Sequence, residues 1–318
     1  MAAPFGQPVP KRKKEPHIYP EPFIGPPLAT HAQTFILLHG RGSNGEKFGV
    51  EFLASKISDG KTIPELFPGM KFVFPTAKKR RARAYNRALV RQWFDGVPID
   101  EQEGMSREEK EWQVEGLVES GRFLRGVVDG EVSCVGAKNV FLGGLSQGCA
   151  MGLHLLLSSG VVGEGGEDGL LGGFVGMSGW LPFYDEIQEL VNPERNLDAS
   201  EEDGDDDPFA TSDNDDDFDF EQDTGPSSIA SQVTDFVRQN MELPSLPHEI
   251  EPAFLKTPVF LGHGKGDEKV KIGLGRDVVG LGRGLGMDVR WVEYEEGHWY
   301  KVPDEIDDIV GFLRGVGV

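Results

Sequence analysis

The sequence predicts an α/β fold in which helices flank a mostly parallel central sheet. Short apolar segments of strand length alternate along the chain with segments whose apolar residues recur at helical spacing, which is the pattern of βαβ units. In one of these strand–helix units a tight turn carries a serine. The apolar strand from Val140 runs into Gly144-Leu145-Ser146-Gln147-Gly148 and then into an apolar helix. The 318 residues, 38% of them hydrophobic, are enough for a sizeable core in one large domain or two small ones.

The turn around Ser146 favours nucleophilic catalysis. The sequence there is G-x-S-x-G, between a predicted strand and a predicted helix. Glycines two residues before and after the serine let the chain reverse without Cβ clashes, so that the hydroxyl is exposed at the end of the strand. The start of the helix offers free N–H groups and a partial positive charge to a developing oxyanion. The alternative is a Gly-rich packing turn in which Ser146 only caps the helix.

The N-terminal part of the chain predicts a tail and then the first strand. Residues 1–30 are rich in proline and carry a basic cluster at Lys11–Lys14, and we expect them to be disordered. Thr34–Leu38 predicts a strand, and a helix is expected around Lys47–Ile57.

The loop between that strand and that helix reads His39-Gly40-Arg41-Gly42-Ser43. A strand followed by H-G-x-G is where an α/β-hydrolase places one backbone N–H of its oxyanion hole. The backbone N–H groups of Arg41 and Gln147 are therefore predicted to hold the oxyanion. Gly40 is predicted to let the backbone approach the substrate closely.

The next elements are a strand, a basic loop and a capped helix. Lys71–Phe74 predicts the strand, and the strongly basic loop from Lys78 to Arg91 leads into Gln92-Trp93-Phe94-Asp95. Ser106 and Glu109 form an S-x-x-E capping box, which predicts the start of an amphipathic helix that covers the sheet.

The C-terminal half predicts three further buried strands, at Gly172–Met177, Pro258–Gly262 and Val289–Tyr294, and a last helix that Pro303 opens. Between the first two of these strands lies an acidic low-complexity insert at about 193–246. We expect it to be disordered, because it has too few apolar groups to offset the entropy of ordering. Residues 31–318 are accordingly predicted to form a single domain that this insert interrupts.

Composition excludes several classes of protein. Thirteen acidic residues between Glu201 and Asp223 account for most of the formal net charge of −21. The rest of the chain is also net acidic, which argues against nucleic acid as a partner. No apolar signal-peptide core and no run of about 18 apolar residues is present, so neither secretion nor a transmembrane segment is expected. Two cysteines fit a reducing compartment. We expect a cytoplasmic protein, with a nuclear location left open by the basic cluster, and no metal or other cofactor.

Three reactive side chains follow the ends of three predicted strands. They are Ser146, Asp267 and His298, and their order along the chain is the one expected for an α/β-hydrolase. Because strands of a parallel sheet end at one edge, these side chains are expected to meet there. His298 would take the proton of Ser146, and Asp267 would hold the other imidazole N–H and stabilise the imidazolium.

Six segments together resemble the landmarks of the acyl-protein thioesterase and carboxylesterase family, also called phospholipase/carboxylesterase. They are LLHGRGSNG, QWFD, GGLSQG, GFVGMSGWLP, GHGKGDEKV and YEEGH, in that order. The resemblance runs from about Thr34 to the C-terminus, apart from the acidic insert. It implies an α/β-hydrolase fold and a serine hydrolase without cofactors.

Carried over by motif, the resemblance implies Ser146 as nucleophile, Asp267 and His298 as its partners, and backbone donors at Arg41 and Gln147. It also implies that Trp93, Trp180 and Leu181 lie close to the active site and line the acyl-binding region. The expected substrates are thioesters on S-acylated proteins, and oxygen esters of small molecules or lysophospholipids.

The chain departs from the family pattern in three places. In the loop after the first strand, Arg41 and Ser43 replace an apolar and an acidic residue. The basic loop and the acidic insert are the other two. Alternatives therefore stay open. The chain is expected to be an acyl-protein thioesterase or carboxylesterase, or else a small-molecule carboxylesterase or lysophospholipase, and less readily a non-catalytic hydrolase-fold binding protein or an interaction scaffold. The oligomeric state is left open.

Overall fold

The computed structural model describes residues 19–98, 105–158, 170–192, 226–247 and 251–318. Seven of the strands in this part of the chain form one sheet, and two form a separate hairpin. In chain order the strands are β1 (Phe23–Gly25), β2 (Gln33–Leu38), β3 (Met70–Phe74), β4 (Lys79–Ala82), β5 (Ala88–Arg91), β6 (Val140–Leu145), β7 (Gly173–Met177), β8 (Val259–Gly264) and β9 (Val289–Tyr294).

Helices connect these strands and cover both faces of the sheet. They are α1 (Gly45–Ala54), α2 (Ile63–Leu66), α3 (Arg107–Val135), α4 (Gln147–Leu157), α5 (Tyr184–Val191), α6 (Pro226–Asn240), α7 (Ile272–Gly284) and α8 (Asp304–Gly315). The predicted capping box begins α3, because the Ser106 hydroxyl accepts from the Glu109 N–H at 3.3 Å and the Glu109 carboxylate accepts from the Ser106 N–H at 2.9 Å. None of the helices in the described ranges is both long and apolar enough to cross a membrane.

The strand order of the large sheet is β1-β3-β2-β6-β7-β8-β9. Only β1 runs antiparallel to its neighbour, so the expected mostly parallel sheet is confirmed. From β2 the chain first moves outward to β3 and then returns to the other side of β2 with β6. Ligands of open α/β sheets bind in the crevice at such a reversal of strand order. Leu38 pairs with Gly144, so the segments that follow β2 and β6 emerge side by side.

The core lies on both faces of the sheet because side chains alternate along each strand. In β2, Ile36 and Leu38 join the apolar cluster under α3, α4 and α7, whereas Phe35 and Leu37 join the cluster under α1 and α8. All four are fully buried. This two-sided burial explains why the strands read as continuous apolar runs in the sequence.

The structure corrects the C-terminal limit of the expected disordered tail. Residues 19–30 are ordered: Phe23, in β1, pairs with Phe74 of β3, and Tyr19 stacks on Phe123 with ring centroids 4.0 Å apart. The Tyr19 hydroxyl also lies 3.1 Å from the Ser120 hydroxyl. Aromatic anchors hold this segment, although its composition resembles that of a tail. Residues 1–18, with the basic cluster, lie outside the described residues.

The acidic insert is also shorter on its C-terminal side than the sequence suggested. Residues 226–240 form α6, whose Ala230, Val233 and Val237 are fully buried in the core. These three positions have helical spacing, but the acidic residues before them dominate the composition of the predicted insert. The expectation of disorder for residues 193–225 falls outside the described residues.

The basic loop is a β-hairpin of β4 and β5, with Arg80 opposite Val90 and Arg81 opposite Leu89. Its inner side is fixed to α3, because both Lys78 and Arg80 pair with Glu119. The hairpin therefore has a defined position beside the segment that follows it, Gln92 to Asp95.

Candidate active site

Ser146 lies in a strained turn between β6 and α4. Its backbone has φ 56° and ψ −122°, and its N–H donates to the Met177 carbonyl at 2.9 Å. The flanking glycines are required by close contacts. A Cβ at Gly144 would lie 2.5 Å from the carbonyl carbon of Gly148, and a Cβ at Gly148 would lie 2.1 Å from the Leu38 carbonyl oxygen. The turn therefore depends on the tight packing of the two glycines against each other and against β2.

His298 bridges Ser146 and Asp267. Its Nε2 lies 3.0 Å from the Ser146 Oγ, and its Nδ1 lies 2.8 Å from the Asp267 Oδ2. The three sequence-predicted side chains, 31 and 121 residues apart in the chain, thus meet at the carboxyl edge of the sheet. The order of the contacts is hydroxyl, imidazole, carboxylate, which is the arrangement of a serine nucleophile with its base and orienting acid.

The surroundings of Asp267 keep it ionised. Burial by itself would raise the pKa of this carboxyl, but hydrogen bonds from His263, His298 and the Val270 N–H hold the pKa well below its usual value. The Oδ1 atom also accepts from the Lys269 N–H at 2.8 Å. Because the carboxylate can only accept, His298 donates Nδ1–H to it, and Nε2 is left to accept the proton of the Ser146 hydroxyl.

The two backbone N–H groups predicted to hold an oxyanion, those of Arg41 and Gln147, follow β2 and β6. Gln147 is the first residue of α4, so its N–H has no partner within the helix and carries the positive end of the helix dipole. Arg41 follows β2 in the turn from Gly40 to Ser43, which the Ser43 N–H closes on the Gly40 carbonyl at 3.2 Å. Among the described residues, neither the Arg41 nor the Gln147 N–H donates a hydrogen bond.

His39 fixes the loop that carries Arg41. Its Nε2 accepts from the Ala77 N–H at 3.0 Å, so its Nδ1 carries the proton and donates to the Gly40 carbonyl at 2.8 Å. Burial lowers the pKa of His39 to about 4, which keeps the imidazole neutral. His39 thus holds the loop in place and lies outside the set formed by Ser146, Asp267 and His298.

The side chain of Gln147 has a positioning role that the sequence did not suggest. Its Oε1 accepts from the Trp93 N–H at 3.0 Å, and its Nε2 donates to the Phe94 carbonyl at 2.8 Å. The Trp93 indole N–H in turn donates to the His39 carbonyl at 2.8 Å. One amide therefore ties the serine turn to the segment after the hairpin. An indole ties that segment to the loop from His39 to Ser43, which we call the oxyanion loop after its predicted role.

A cavity of about 470 Å³ opens over Ser146. Polar groups of the reactive centre form its floor, and apolar side chains form much of its wall. The lining residues are Gly40, Arg41, Ser43, Phe48, Tyr85, Pro98, Leu145, Ser146, Gln147, Trp180, Glu268, Lys269, His298 and Trp299. This volume is typical of a small-molecule site.

Two of the four residues predicted to bind substrate do not line this cavity. Gly40 and Trp180 line it, whereas Trp93 is fully buried beneath the oxyanion loop, and Leu181 lines a separate pocket beside α5. Trp93 is turned inward because its indole N–H is used by the His39 carbonyl. The resemblance to the family implied that Leu181 lines the acyl-binding region, but the structure places it in the wall of that other pocket.

Several residues of the cavity wall were not predicted from the sequence. Phe48 comes from α1, Tyr85 from the tip of the hairpin, and Trp299 from the position after His298. Tyr85 interrupts the basic run as its only aromatic residue, and Trp299 adjoins the predicted base. No group of three potential metal ligands of the His, Cys, Asp or Glu type occurs in the ranges that the structure describes.

Comparison with known proteins places these features in context. A family model described as phospholipase/carboxylesterase matches residues 20–213. The chain is 24% identical to acyl-protein thioesterase 1 of Gibberella zeae over 298 residues, which cover 92% of this chain and 94% of that protein. It is 30% identical to carboxylesterase SOBER1 of Arabidopsis thaliana over 169 residues, which cover 49% of this chain and 60% of that protein. The crystal structure of Zea mays acyl-protein thioesterase 2 shares the fold, with a TM-score of 0.58, 22% identity and coverage of 94% of this chain and 99% of that one.

Proposed function

The chain belongs to the phospholipase/carboxylesterase family, and we propose that it hydrolyses carboxylic esters and thioesters through a covalent acyl-enzyme on Ser146. Its relatives include proteins named acyl-protein thioesterase and carboxylesterase, and it is a hydrolase of that type. The observation that carries the assignment of residues is the pair of contacts that His298 makes with Ser146 and Asp267.

In the acylation step, the Ser146 Oγ attacks the carbonyl carbon of the substrate while its proton passes to the His298 Nε2. The carbonyl π electrons move onto oxygen, and the N–H groups of Arg41 and Gln147 stabilise the negative charge. Asp267 stabilises the imidazolium that forms. The electrons then return to the carbonyl, the bond to the leaving alkoxide or thiolate breaks, and that group takes the proton from Nε2.

Deacylation repeats these steps with water. His298 removes a proton from the water as its oxygen attacks the acyl carbon. Collapse of the second adduct breaks the bond to the Ser146 Oγ, which recovers the proton from Nε2. The acid product leaves, and the centre returns to its starting protonation state.

For the substrate, we propose a fatty acyl thioester on a protein. The apolar wall of the cavity supports this choice, since Phe48, Trp180 and Trp299 can cover an acyl chain while its carbonyl lies at Ser146. The similarity to acyl-protein thioesterase 1 over nearly the whole chain supports it as well. Small-molecule oxygen esters are the second candidate, favoured by the similarity of about half of the chain to a named carboxylesterase.

The test combines turnover with covalent labelling. Wild type, Ser146→Ala and Ser43→Ala would be assayed on p-nitrophenyl esters from acetate to palmitate and on a palmitoylated peptide thioester, and each protein would be treated with a fluorophosphonate. Ser43 is the matched control, because it lines the same cavity but does not contact His298. We expect Ser146→Ala to lose several orders of magnitude in kcat and all labelling, and Ser43→Ala to retain both.

Chain length and leaving group separate the two candidates. Preference for long acyl chains and for the thioester supports the acyl-protein substrate, whereas preference for short oxygen esters supports the small-molecule carboxylesterase. If neither wild type nor Ser146→Ala hydrolyses either substrate or takes the label, the proposed catalysis is contradicted. A binding protein would then be favoured.

A further inference from the structure

A second cavity, of about 570 Å³, lies between the β4–β5 hairpin and α3. Six cationic residues line it, and we call it the basic cavity: Lys78, Lys79, Arg80, Arg81, Arg83 and Arg87. It shares no lining residue with the cavity over Ser146. So dense a group of cations stands out in a chain whose formal net charge is −21.

Three acidic residues, Asp95, Glu115 and Glu119, also line the basic cavity, so its charges leave an excess of three cations. Glu119 pairs with both Lys78 and Arg80. Asp95 accepts from the Arg83 N–H at 3.2 Å and lies 3.7 Å from the Arg83 Nε. These contacts hold the hairpin against α3. The other three cations of the cavity take no part in them.

Lys79, Arg81 and Arg87 are exposed, and no carboxylate among the described residues lies within ion-pairing distance of their side chains. The Arg81 Nη1 reaches only the Arg87 carbonyl, at 3.2 Å. Cations that line one cavity raise one another's electrostatic energy, and a bound anion relieves that repulsion. The arrangement therefore favours an anionic ligand of more than one charge.

The composition of the basic cavity favours phosphate. Four of its six cations are arginines, whose planar fork matches phosphate oxygens in pairs. The volume exceeds the needs of one phosphate, and Trp112 adds a flat apolar wall with the Arg83 guanidinium 5.3 Å from its ring centroid. We propose that the basic cavity binds a ligand that carries clustered phosphates, either on a lipid headgroup or on a soluble polyphosphate.

Such a ligand would act next to the reactive centre. Tyr85, at the tip of the same hairpin, lines the cavity over Ser146 and lies under the Arg41 guanidinium at 5.7 Å. The Gly42 N–H donates to the Arg91 carbonyl at 2.8 Å, so the hairpin and the oxyanion loop are joined through the backbone. Phosphate bound in the basic cavity would fix the wall that Tyr85 contributes. Binding itself does not depend on the proposed hydrolysis.

The experiment measures binding to the full chain at one fixed ionic strength, with the fluorescence of Trp112 as the signal and Trp112→Phe to assign it. The probes are inorganic tripolyphosphate, citrate, and phosphatidylcholine vesicles with or without phosphatidylinositol bisphosphate. The test variant is Lys79→Gln/Arg81→Gln/Arg87→Gln, which removes three charges, keeps polar side chains and leaves the pairs of Lys78 and Arg80 with Glu119 intact. The matched control is Lys56→Gln/Lys61→Gln/Arg314→Gln, three exposed cations elsewhere on the surface, with binding to both triple variants followed by calorimetry.

We expect tripolyphosphate or the phosphoinositide vesicles to bind wild type and the control alike, and the test variant to bind about tenfold more weakly or worse. Binding of tripolyphosphate identifies a soluble source, and binding of the vesicles alone identifies a lipid headgroup. The proposal is overturned if neither probe binds wild type, if both triple variants lose affinity equally, or if citrate binds as tightly as tripolyphosphate. Far-UV circular dichroism and urea denaturation of the test variant, measured in parallel, separate a folding defect from loss of the phosphate site.

Discussion

The strained backbone of Ser146 predicts that the serine is held at a cost to stability. Its φ of 56° with ψ of −122° lies outside the regions that residues with a Cβ favour, and glycine adopts such angles readily. Replacing Ser146 with Gly or with Ala removes the same hydrogen bond to His298. The two variants differ only in the Cβ, so their difference in free energy of unfolding reports the strain.

The magnitude follows from two opposing effects. A residue with a Cβ in such a region costs about 1 to 3 kcal/mol in the folded state. Glycine loses about 0.4 to 1 kcal/mol more than alanine through the entropy of the unfolded chain. Ser146→Gly should therefore be more stable than Ser146→Ala by about 1 kcal/mol.

The matched control is Ser133, an exposed residue within α3. There the helix favours alanine, so Ser133→Gly should be less stable than Ser133→Ala by about 1 kcal/mol. Urea denaturation of all four variants, followed by circular dichroism, gives both differences. If the glycine variant is the less stable member of both pairs by the same margin, the turn at Ser146 stores no strain.

Three further results are expected. Burial raises the pKa of Glu305 from 4.5 to about 8. Between these pH values the folded state keeps a proton that the unfolded state has released. The free energy of unfolding therefore falls as pH rises, by about 1.4 kcal/mol per pH unit at most. Urea denaturation from pH 5 to 8 should show this fall in wild type and lose most of it in Glu305→Gln, and an unchanged slope would contradict the assignment. Asp267→Asn should lower kcat by about 10³ to 10⁴ with little change in KM, because the imidazolium on His298 loses its carboxylate; a loss confined to KM would argue against that role. Burial also raises the pKa of the Cys149 thiol to about 12, whereas Cys134 is exposed, so a maleimide should label native wild type at Cys134 alone, and native Cys134→Ser should stay unlabelled until it is unfolded.

Much of the fold could be predicted because its signals are local. The apolar strands are buried on both faces, so each reads as a short continuous run, as Thr34–Leu38 and Val140–Gly143 do. The capping box at Ser106 acts within one helical turn, and it begins α3 where expected. The family membership and the hydrolase class that the motifs implied are confirmed as well.

The errors arose where distant contacts outweigh composition. Tyr19 and Phe23 are ordered by stacking and pairing with residues far along the chain. Three buried residues of α6 are hidden in the sequence by the acidic run before them. Trp93 lies in a motif beside the reactive centre, but the direction of its ring depends on one hydrogen bond to the His39 carbonyl.

The six parallel strands of the sheet, the serine turn and the three reactive residue types could be inferred from the amino-acid sequence, because each depends on spacing and side-chain chemistry within a few positions. Three features became visible only in the folded chain: which residues line the cavity, the contacts of the Gln147 amide with Trp93 and Phe94, and the hairpin of the basic run with its charged cavity. These features depend on the directions of side chains in elements far apart in the chain. Those directions follow from packing across the whole sheet, which spacing along one segment does not contain.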